Sequence, residues 1–487
     1  MEKKSPNKVL FGLKVKELRG ARGLSFAEFS QQTGISVSYL NEIEKGKKYP
    51  SPDKIELIAN TLSTTAEELI STHLSSNLAP VEALLNSNFL NELPLDLFGI
   101  ELNKVAEIIA KAPIKVGAFI STLLDLARTY NVREENFYNR ALRAYQELHY
   151  NYFEDIEQAV DLFVNQQNLH SELLDIERFQ KILTQKFHYQ IDTKGLDAFP
   201  ELCHLRSLTI ISQKKMLLSS ALSAKQVKYQ LTKELGYCVL DLQERIDLRK
   251  KATTFEQVLS NYKAAYFAVS LLIPQQAMTA DIQTLFAKKN WDGTFLGSLL
   301  DKYQVTAETL FQRFNVLPRT FGIHRLFFMR IIHDTQLGTY EIDKELHLSQ
   351  KHQPHSNGLS EQYCRRWVAI DTLQNIDNEL VSVSIQRSKF VDTSDEYLSI
   401  SMSRMALPNR NQRVSVTISL LIDKQVEKQI KFLDDTNIPT KTVGVTCERC
   451  SILDCAQRAA PPIKWEARQQ KIAIREALDK ALGSEQF

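Results

Sequence analysis

The stretch LSFAEFSQQTGISVSYLNEIEKGKK, residues 24–48, decides the fold of the N-terminal region. Ser25 is a favourable helix N-cap, and Glu28, three residues later, completes the pattern of a capping box. Gly34 ends this helix because glycine readily adopts the left-handed conformation of a C-terminal cap, and Ser36 caps the next helix at once. The stretch therefore predicts two helices joined by a tight glycine turn.

Further helices are predicted on both sides of this pair. Upstream, Leu10–Arg22 has the apolar spacing of an amphipathic helix and is followed by a glycine stop signal. Downstream, a fourth helix starts at Ser51-Pro52, and Thr64 or Thr65 caps a fifth. Residues 8–71 are thus predicted to form an all-α domain.

The third helix of this domain, predicted at Val37–Lys45, turns Leu40 and Ile43 towards the core. Its outward residues are Val37, Ser38, Asn41 and Glu42. The chain as a whole has 60 basic and 58 acidic residues, but Lys3–Lys48 carries ten Lys or Arg against four Glu. A basic helical module of this kind favours nucleic acid as a partner.

The same region contains the motifs Leu18-Arg19, Gly23-Leu24-Ser25, Gly34-Ile35-Ser36, Ser38-Tyr39-Leu40 and Ile43-Glu44-Lys45-Gly46-Lys47. Together they resemble the phage-repressor (Cro/C1, XRE-type) helix-turn-helix. The resemblance implies that the third helix enters the DNA major groove, where its early residues read base edges. The base-reading residues would be Val37, Ser38, Asn41 and Glu42, and the backbone contacts would be Ser36, Lys47 and Lys48. Phe26 departs from the family, which usually carries Gln there. The alternative is a helical bundle used for protein contacts.

Length and composition bound the remaining possibilities. The chain has 487 residues and a mass of 55.8 kDa, which corresponds to about three domains. With 43% hydrophobic and 24% charged residues it has the composition of a globular protein, not of a disordered or fibrous one. Because no apolar run approaches the roughly 18 residues of a membrane span and no signal-peptide pattern follows Met1, we expect a cytoplasmic protein.

The middle of the chain is predicted to be helical. Residues 72–98 mix Ser, Asn and Pro and are predicted to be a linker, and residues 99–187 show helical apolar spacing. Within 188–300, Tyr229–Tyr237 is similar to the active helix of ImmA/IrrE-type metallopeptidases, which bind zinc through H-E-x-x-H.

In that helix Lys233 and Tyr237 occupy the two histidine positions, and only Glu234 remains of the required set. A lysine ammonium repels a metal ion, so we predict a degenerate metallopeptidase-like region without hydrolytic activity. The alternative is a plain helical core.

Residues 301–487 are predicted to form an α+β sensor domain. A short helix at Thr306–Phe314 precedes a buried strand at Arg325–Ile332. Alternating polarity predicts three more strands, at Leu380–Ile385, Leu398–Met402 and Val414–Leu421. The final segment, Ile463–Leu482, is an amphipathic helix that packs on its own domain or on a partner subunit. The predicted fold class is therefore multidomain, with an all-α helix-turn-helix domain, a helical middle region and an α+β C-terminal sensor region.

Three of the six cysteines form a C-x2-C-x4-C motif at Cys447, Cys450 and Cys455. Three thiolates in one loop suit an iron–sulfur cluster or an incomplete zinc site. The possible fourth ligands are Cys364, His347, His352 and His355. Free thiols without a metal are the alternative, as expected for the isolated Cys203 and Cys238.

The terminal stretch Gly444–Pro462 is similar to the signature of short-chain fatty-acid-responsive regulators. Gly322-Ile323 before Phe327–Arg330, and Cys364 three residues before Trp367, extend this similarity. Such regulators join a phage-repressor-type domain to a degenerate metallopeptidase-like region and a cysteine-bearing domain. The resemblance implies control of short-chain acyl metabolism, acyl-CoA as effector and, in part of the family, an iron–sulfur cluster on the terminal cysteines. Residues 359–363 and Arg365-Arg366 depart from the family pattern.

These observations predict a regulator that binds double-stranded DNA as a homodimer, since one short helix rarely supplies enough discrimination alone. A zinc-dependent ImmA/IrrE-type peptidase tethered to a DNA-binding domain is the alternative, and a DNA- or partner-binding protein without a ligand is a third possibility. Arg325 and Arg330 beside Phe327 and Phe328 fit loosely an acyl-CoA site, but they fit a buried strand with snorkelling arginines equally well.

Overall fold

The computed structural model describes residues 8–71, 134–169, 175–247, 254–348, 361–374, 376, 381–391, 393–406, 409 and 411–482. Two compact units divide the chain, Met1–Tyr145 with Ile246–Leu259 and Gln146–Arg245 with Ser260–Phe487. The predicted linker at 72–98 and the first part of the predicted helical region, 99–133, lie outside the described residues. None of the helices in the described ranges is long and apolar enough to cross a membrane.

The N-terminal helical domain contains five helices, as predicted. They are α1 (Lys8–Ala21), α2 (Phe26–Thr33), α3 (Val37–Glu44), α4 (Pro52–Thr61) and α5 (Ala66–Ile70). The capping box of α2 is formed, because the Glu28 amide donates to Ser25 Oγ and the Ser25 amide donates to the Glu28 carboxylate at 2.8 Å. Gly34 takes the left-handed conformation with φ +70°, and Ser36 accepts the amide of Tyr39 at the start of α3.

One apolar core holds these helices together. Leu40 and Ile43 are fully buried, as the helical spacing predicts. Their partners come from all the other helices and from the turn before α3, and include Phe11, Val15, Phe29, Ile35, Ile55, Ile58, Leu62 and Leu69. Burial of side chains of this size contributes about 1.5–3 kcal/mol each, so packing dominates the stability of this domain.

Helices α1 and α3 approach each other closely at Gly12. A Cβ atom at this position would lie 2.2 Å from the carbonyl oxygen of Ile43 and 3.0 Å from that of Glu44. Farther along, the Arg19 guanidinium binds the Glu44 carboxylate with N–O distances of 2.6 and 3.0 Å. Since Glu44 is only 4% exposed, this bidentate pair fixes the position of α3 on α1.

The second unit begins with helices. Those described after the linker are α6 (Glu134–Leu148), which begins in the first unit, α7 (Glu154–Gln166) and α8 (Ile176–Phe187). A small sheet follows, in which β3 (Lys215–Leu218) lies between β1 (Gln190–Asp192) and β2 (Ser207–Ile210). The next helices are α9 (Ala224–Val239), α10 (Phe255–Leu272), α11 (Gln275–Phe286), α12 (Gly293–Lys302), α13 (Ala307–Gln312) and α14 (Leu317–Phe321).

A buried ion pair fastens α7 to the later helices. Arg313 is fully buried, and its guanidinium donates to both oxygens of Glu157 at 2.5 and 2.9 Å and to the carbonyl of Ile273 at 2.8 Å. Tyr266 and Ser270 also donate to the Glu157 carboxylate. Burial alone would raise the pKa of Glu157, but the guanidinium and the two hydroxyls outweigh burial and lower it.

A six-stranded sheet organises the C-terminal part, in the order β5-β4-β8-β7-β6-β9. Four strands correspond to predicted ones: β4 (Leu326–Asp334), β6 (Ser382–Phe390), β7 (Glu396–Met405) and β8 (Gln412–Leu421). Two edge strands, β5 (Thr339–His347) and β9 (Thr440–Val443), were not predicted, because edge strands expose one side to water and carry no continuous apolar run.

The two faces of this sheet have different partners. Phe327, Met329 and Ile331 of β4 point to the face covered by α15 (Val368–Gln374), where they pack with Trp367. Arg330 alternates with them and therefore points to the opposite face, against which α13 packs. The remaining helices are α16 (Lys424–Gln429) and α17 (Ile463–Leu482). Helices followed by a sheet-rich C-terminal region agree with the multidomain fold class predicted from the sequence.

Candidate functional sites

Helix α3 presents the residues that the resemblance assigned to DNA. Ser36, Val37 and Ser38 are exposed, while Asn41 and Glu42 are half-buried on the same outward side. Val37 is 44% exposed. Lys47 and Lys48 follow the helix and are exposed.

Cations surround this surface. Lys48 Nζ lies 2.9 Å from the Glu42 carboxylate, so the charge of Glu42 is offset within the chain. Lys48 and Lys54 both lie near the face of the Tyr39 ring, Lys54 Nζ at 4.3 Å from its centroid. Positive charge beside an exposed helix N-terminus is the arrangement that attracts a phosphate backbone.

Phe26, the residue that departs from the repressor pattern, has a structural role. The Arg19 guanidinium lies 4.1 Å from the centroid of the Phe26 ring, and it also binds Glu44 and the carbonyl of Leu24. Phe26 therefore packs against the ion pair that fixes α3, in place of the hydrogen bond that Gln would supply.

The three cysteines of the terminal motif lie around one cleft, and Cys364 joins them there. The other lining residues are Arg365, Arg366, Thr446, Ile452, Gln457 and Arg458. Cys364 reaches the cleft because its amide donates to the Val445 carbonyl at 3.1 Å and Tyr363 bridges to Thr446. Gly444 makes room for the motif, since a Cβ atom there would lie 2.9 Å from Cys450 Sγ.

Arg458 binds three backbone carbonyls of the cysteine loop. Its guanidinium donates to the carbonyl of Cys447 at 2.7 Å, to that of Cys450 at 3.3 Å, and to that of Ile452. The amide of Ala459 donates to Cys447 Sγ at 3.3 Å. These contacts place positive charge and an N–H donor beside the sulfur atoms.

Burial raises the pKa of the Cys364 thiol to about 11, and it also raises the pKa of Cys450. Both thiols are therefore protonated near neutral pH unless a metal displaces the proton. Of the predicted fourth ligands, His347 does not line the cleft: it is buried against Phe327, with ring centroids 5.6 Å apart. His352 and His355 lie outside the described residues. Cys203 is exposed, and burial raises the pKa of Cys238 to about 11.

The helix that resembles a metallopeptidase is α9, and its side chains are bound by residues of neighbouring segments. Glu234 forms an ion pair with Arg245 at 2.8 Å and accepts the Thr209 hydroxyl at 3.0 Å. The Arg245 guanidinium also lies 4.0 Å from the centroid of the Tyr237 ring. Lys233 Nζ donates to Asn261 Oδ1 at 2.6 Å. A guanidinium thus neutralises the one carboxylate that the resemblance would require for catalysis.

Arg325 and Arg330 already have carboxylate partners. Arg325 binds Asp423 at 2.7 Å, and Arg330 binds Glu308 at 2.7 Å and also Asp343. Among the described residues, neither arginine is left to bind phosphate by itself.

Several cations lie around Arg330, and the sequence alone did not predict that they form a cluster. Lys344 is paired with Arg330 across β4 and β5 and binds Glu308 at 2.5 Å. Burial and the neighbouring Arg206 lower the pKa of Arg404, and burial together with Lys344 lowers the pKa of Lys233 to about 8. These residues are far apart in the chain, and no local pattern marks them as a group.

Two family models match the chain. Residues 15–69 match the helix-turn-helix family, and residues 341–477 match the family described as short-chain fatty acyl coenzyme A regulator, C-terminal. The second match contains all four cysteines of the cleft.

Individual proteins are similar to parts of the chain. An uncharacterized HTH-type transcriptional regulator of Bacillus subtilis, YazB, is 37% identical over 60 residues, which are 12% of this chain and 87% of YazB. The HTH-type transcriptional regulator DdrOP3 of Deinococcus deserti is 33% identical over 57 residues, 12% of this chain and 44% of its own length. A solved Mycobacterium tuberculosis transcriptional regulator is 18% identical and covers 66% of this chain and 92% of its own, with a TM-score of 0.45.

The two family matches and the similar proteins agree with each other. Residues 341–477 match the C-terminal region of short-chain fatty acyl coenzyme A regulators. The chain therefore belongs to the helix-turn-helix transcriptional regulators and is a DNA-binding regulator of short-chain fatty acyl metabolism.

Proposed function

We propose that the chain reads a two-fold symmetric DNA site as a dimer, with α3 in the major groove. The observation that carries this proposal is the exposed start of α3 beside exposed lysines, above an apolar core that fixes its position. Val37, Ser38, Asn41 and Glu42 would contact base edges. Ser36, Lys47 and Lys48 would contact phosphates.

Selection of bound sequences from random duplex DNA tests these roles. Replacement of both Asn41 and Glu42 by Ala should change the selected sequence. Lys47→Ala should weaken binding to all sequences and reduce the slope of log K against log salt by about one. An unchanged selected sequence with the double variant would contradict the assignment of α3 to the groove.

The effector of this regulator is an acyl-CoA, and Arg206 and Arg404 of the cation cluster bind its phosphate groups. Five cations form the cluster: Arg206, Lys233, Arg330, Lys344 and Arg404. Glu308 and Asp343 are bound to it and Glu234 lies near Lys233, so the five cations outnumber the three carboxylates.

The cations crowd one another, which is unfavourable without an anion. Burial opposes ionisation of Glu308, yet Lys344 and Arg330 outweigh burial and hold the pKa of Glu308 far below its usual range. Arg404 donates only to the backbone carbonyl of Met405 in the described structure, at 2.9 Å. A half-buried excess of guanidinium groups suits a diphosphate.

Calorimetric titration with acetyl-CoA and propionyl-CoA tests the site. Arg404→Gln and Arg206→Gln should each raise the dissociation constant about tenfold or more, the usual effect of losing a charge-assisted hydrogen bond. Arg325→Gln is the control, because Arg325 lies immediately before β4 and outside the cluster, is exposed and is bound to Asp423. Equal losses in all three variants would refute the assignment.

The cysteine cleft binds an iron–sulfur cluster through Cys364, Cys447, Cys450 and Cys455. Four thiols, an amide donor to Cys447 Sγ and three lining arginines fit the charge of a thiolate-bound cluster. In the described residues no three His, Cys, Asp or Glu side chains are close enough to share a single metal ion. When bound, the cluster would supply sensitivity to redox state.

Anaerobic purification with iron and sulfide analysis tests this ligand set. Cys450→Ser and Cys364→Ser should both lose iron and inorganic sulfide. Cys203→Ser, at an exposed cysteine outside the cleft, should retain both. Full retention in Cys364→Ser would remove Cys364 from the set, and zinc in place of iron would refute the cluster.

A further inference from the structure

The terminal helix α17 packs against almost nothing in the described chain. Every residue from Glu466 to Ala481 is exposed, and its apolar side chains include Ile463 at 56%, Ile474 at 54% and Leu478 at 52% exposure. Isolated helices are marginal in water, and helices in proteins gain most of their stability when an apolar face is covered. A 20-residue helix with this exposure calls for a partner.

The apolar residues of α17 follow a heptad spacing. The positions that recur at alternating intervals of four and three are Ile463, Ala467, Gln470, Ile474, Ala477 and Ala481. Five of these six are apolar. Such a spacing gives a seam that meets another helix side by side. Ile472 lies on the side away from this seam.

The charges beside the seam specify the partner and its direction. In a parallel pair of identical helices, Glu466 of one copy faces Lys471 of the other, and Ala473 faces Leu478. Two-fold symmetry makes each contact twice. An antiparallel pair on the same seam would bring Glu466 opposite Lys480 of the other copy, but it would also place Lys471 of the two copies together, so only the parallel pair has no like-charge contact among these residues.

We propose that α17 pairs in parallel with the same helix of a second copy of this chain and forms its dimer contact. The inference rests on the proposed dimeric DNA reading, because a regulator with one recognition helix per chain in the described residues needs two chains to read two half-sites. A two-fold axis along a parallel helix pair supplies that symmetry.

The first turn of α17 is bound to the cysteine loop through Glu361. Glu361 is buried, accepts the Thr446 hydroxyl at 2.6 Å and binds Arg449 at 2.7 Å. The same carboxylate binds Lys464 in the first turn of α17. The direction of the helix pair therefore depends on the conformation of the cysteine loop.

Sedimentation analysis of the full-length chain over a concentration series tests the pairing. Ile474→Lys should raise the dimer dissociation constant at least about tenfold, since it places a charge in the seam. Ile472→Lys is the matched control and should leave the constant unchanged. At a concentration where both variants are dimeric, circular dichroism should be the same for both, because both positions are on the surface.

Charge reversal gives a second and independent measurement. Glu466→Lys should raise the dissociation constant about fivefold, because it creates two like-charge contacts. Adding Lys471→Glu to the same chain should restore the wild-type value. Equal dissociation constants for the Ile474→Lys and Ile472→Lys variants, or no restoration by the double reversal, would overturn the pairing.

The wild-type chain separates this inference from the proposed function. A wild-type dimer that is insensitive to Ile474→Lys overturns the helix assignment and leaves dimeric DNA reading intact. A wild-type monomer that protects only a single half-site on DNA overturns both.

Discussion

Replacement of Gly12 by Ala tests the close approach on which the recognition helix depends. The added methyl group would lie 2.2 Å from the carbonyl oxygen of Ile43, a backbone atom that cannot rotate away. A normal contact is more than about 3 Å, so α1 and α3 must separate by about 1 Å against the pull of the Arg19–Glu44 pair.

The magnitude follows from two opposing effects. Overpacking of this kind costs about 3 kcal/mol, at the upper end of the usual range, because the obstructing atoms are backbone. Alanine is a better helix former than glycine, so the substitution also stabilises α1 by about 1 kcal/mol. The net loss of stability in the N-terminal helical domain is therefore about 2 kcal/mol.

Native-state hydrogen exchange of the full chain measures this loss where it occurs. Amides of α1 and α3 should exchange about 30-fold faster in Gly12→Ala, as about 2 kcal/mol implies. Gly20→Ala is the control, because the same helix has no atom within 4 Å of a Cβ at Gly20, and that variant should exchange no faster than the wild type. Equal exchange in the two variants would refute the close approach.

Three further predictions concern other parts of the chain. The partners of Glu361 hold its pKa at about 2. In urea unfolding, Glu361→Gln should lower the free energy of unfolding by about 3 kcal/mol above pH 4.5, and this difference from the wild type should disappear as the pH falls from 4.5 to 2. Arg313→Met leaves Glu157 buried without its charge partner and should destabilise the second unit by about 3–5 kcal/mol, whereas Arg319→Met, at an exposed pair, should cost less than about 1 kcal/mol in the same assay. Phe26→Gln removes a cation–π contact worth about 0.5–1 kcal/mol but supplies the repressor-like hydrogen bond, so thermal stability should fall while DNA affinity at low salt rises; unchanged affinity would show that no phosphate is within reach.

The N-terminal domain could be predicted closely because its signals are local. Ser25, Glu28, Gly34 and Ser36 lie within one short stretch, and capping depends on residues three or four apart. The interior of the large sheet was also predictable, since its buried strands carry apolar side chains. The ends of β6 and β7 extend beyond the predicted ones because buried residues there include serines, such as Ser388 and Ser403, which are not apolar.

The sites were harder to predict because they depend on long-range contacts. Cys364 meets Cys447 because backbone contacts join residues 362–364 to residues 445–447, more than 80 positions away. A histidine in a suitable sequence position, His347, proved to pack elsewhere. The cation cluster gathers residues from several elements, and nothing in the local sequence of Arg206 or Arg404 distinguishes them from surface arginines. Sequence resemblance supplied the family, whereas the positions of these side chains required the fold.

The contact of Arg245 with Glu234 and Tyr237 makes α9 difficult to convert into a metal site. A guanidinium now occupies the surroundings of the carboxylate and neutralises it. Histidines at positions 233 and 237 alone would bring a metal ion next to this fixed positive charge, and a third substitution at Arg245 would have to come first. That substitution by itself leaves Glu234 buried without a counter-charge, which is costly. Substitution of Arg245 on the way to a metal site therefore gives a less stable protein.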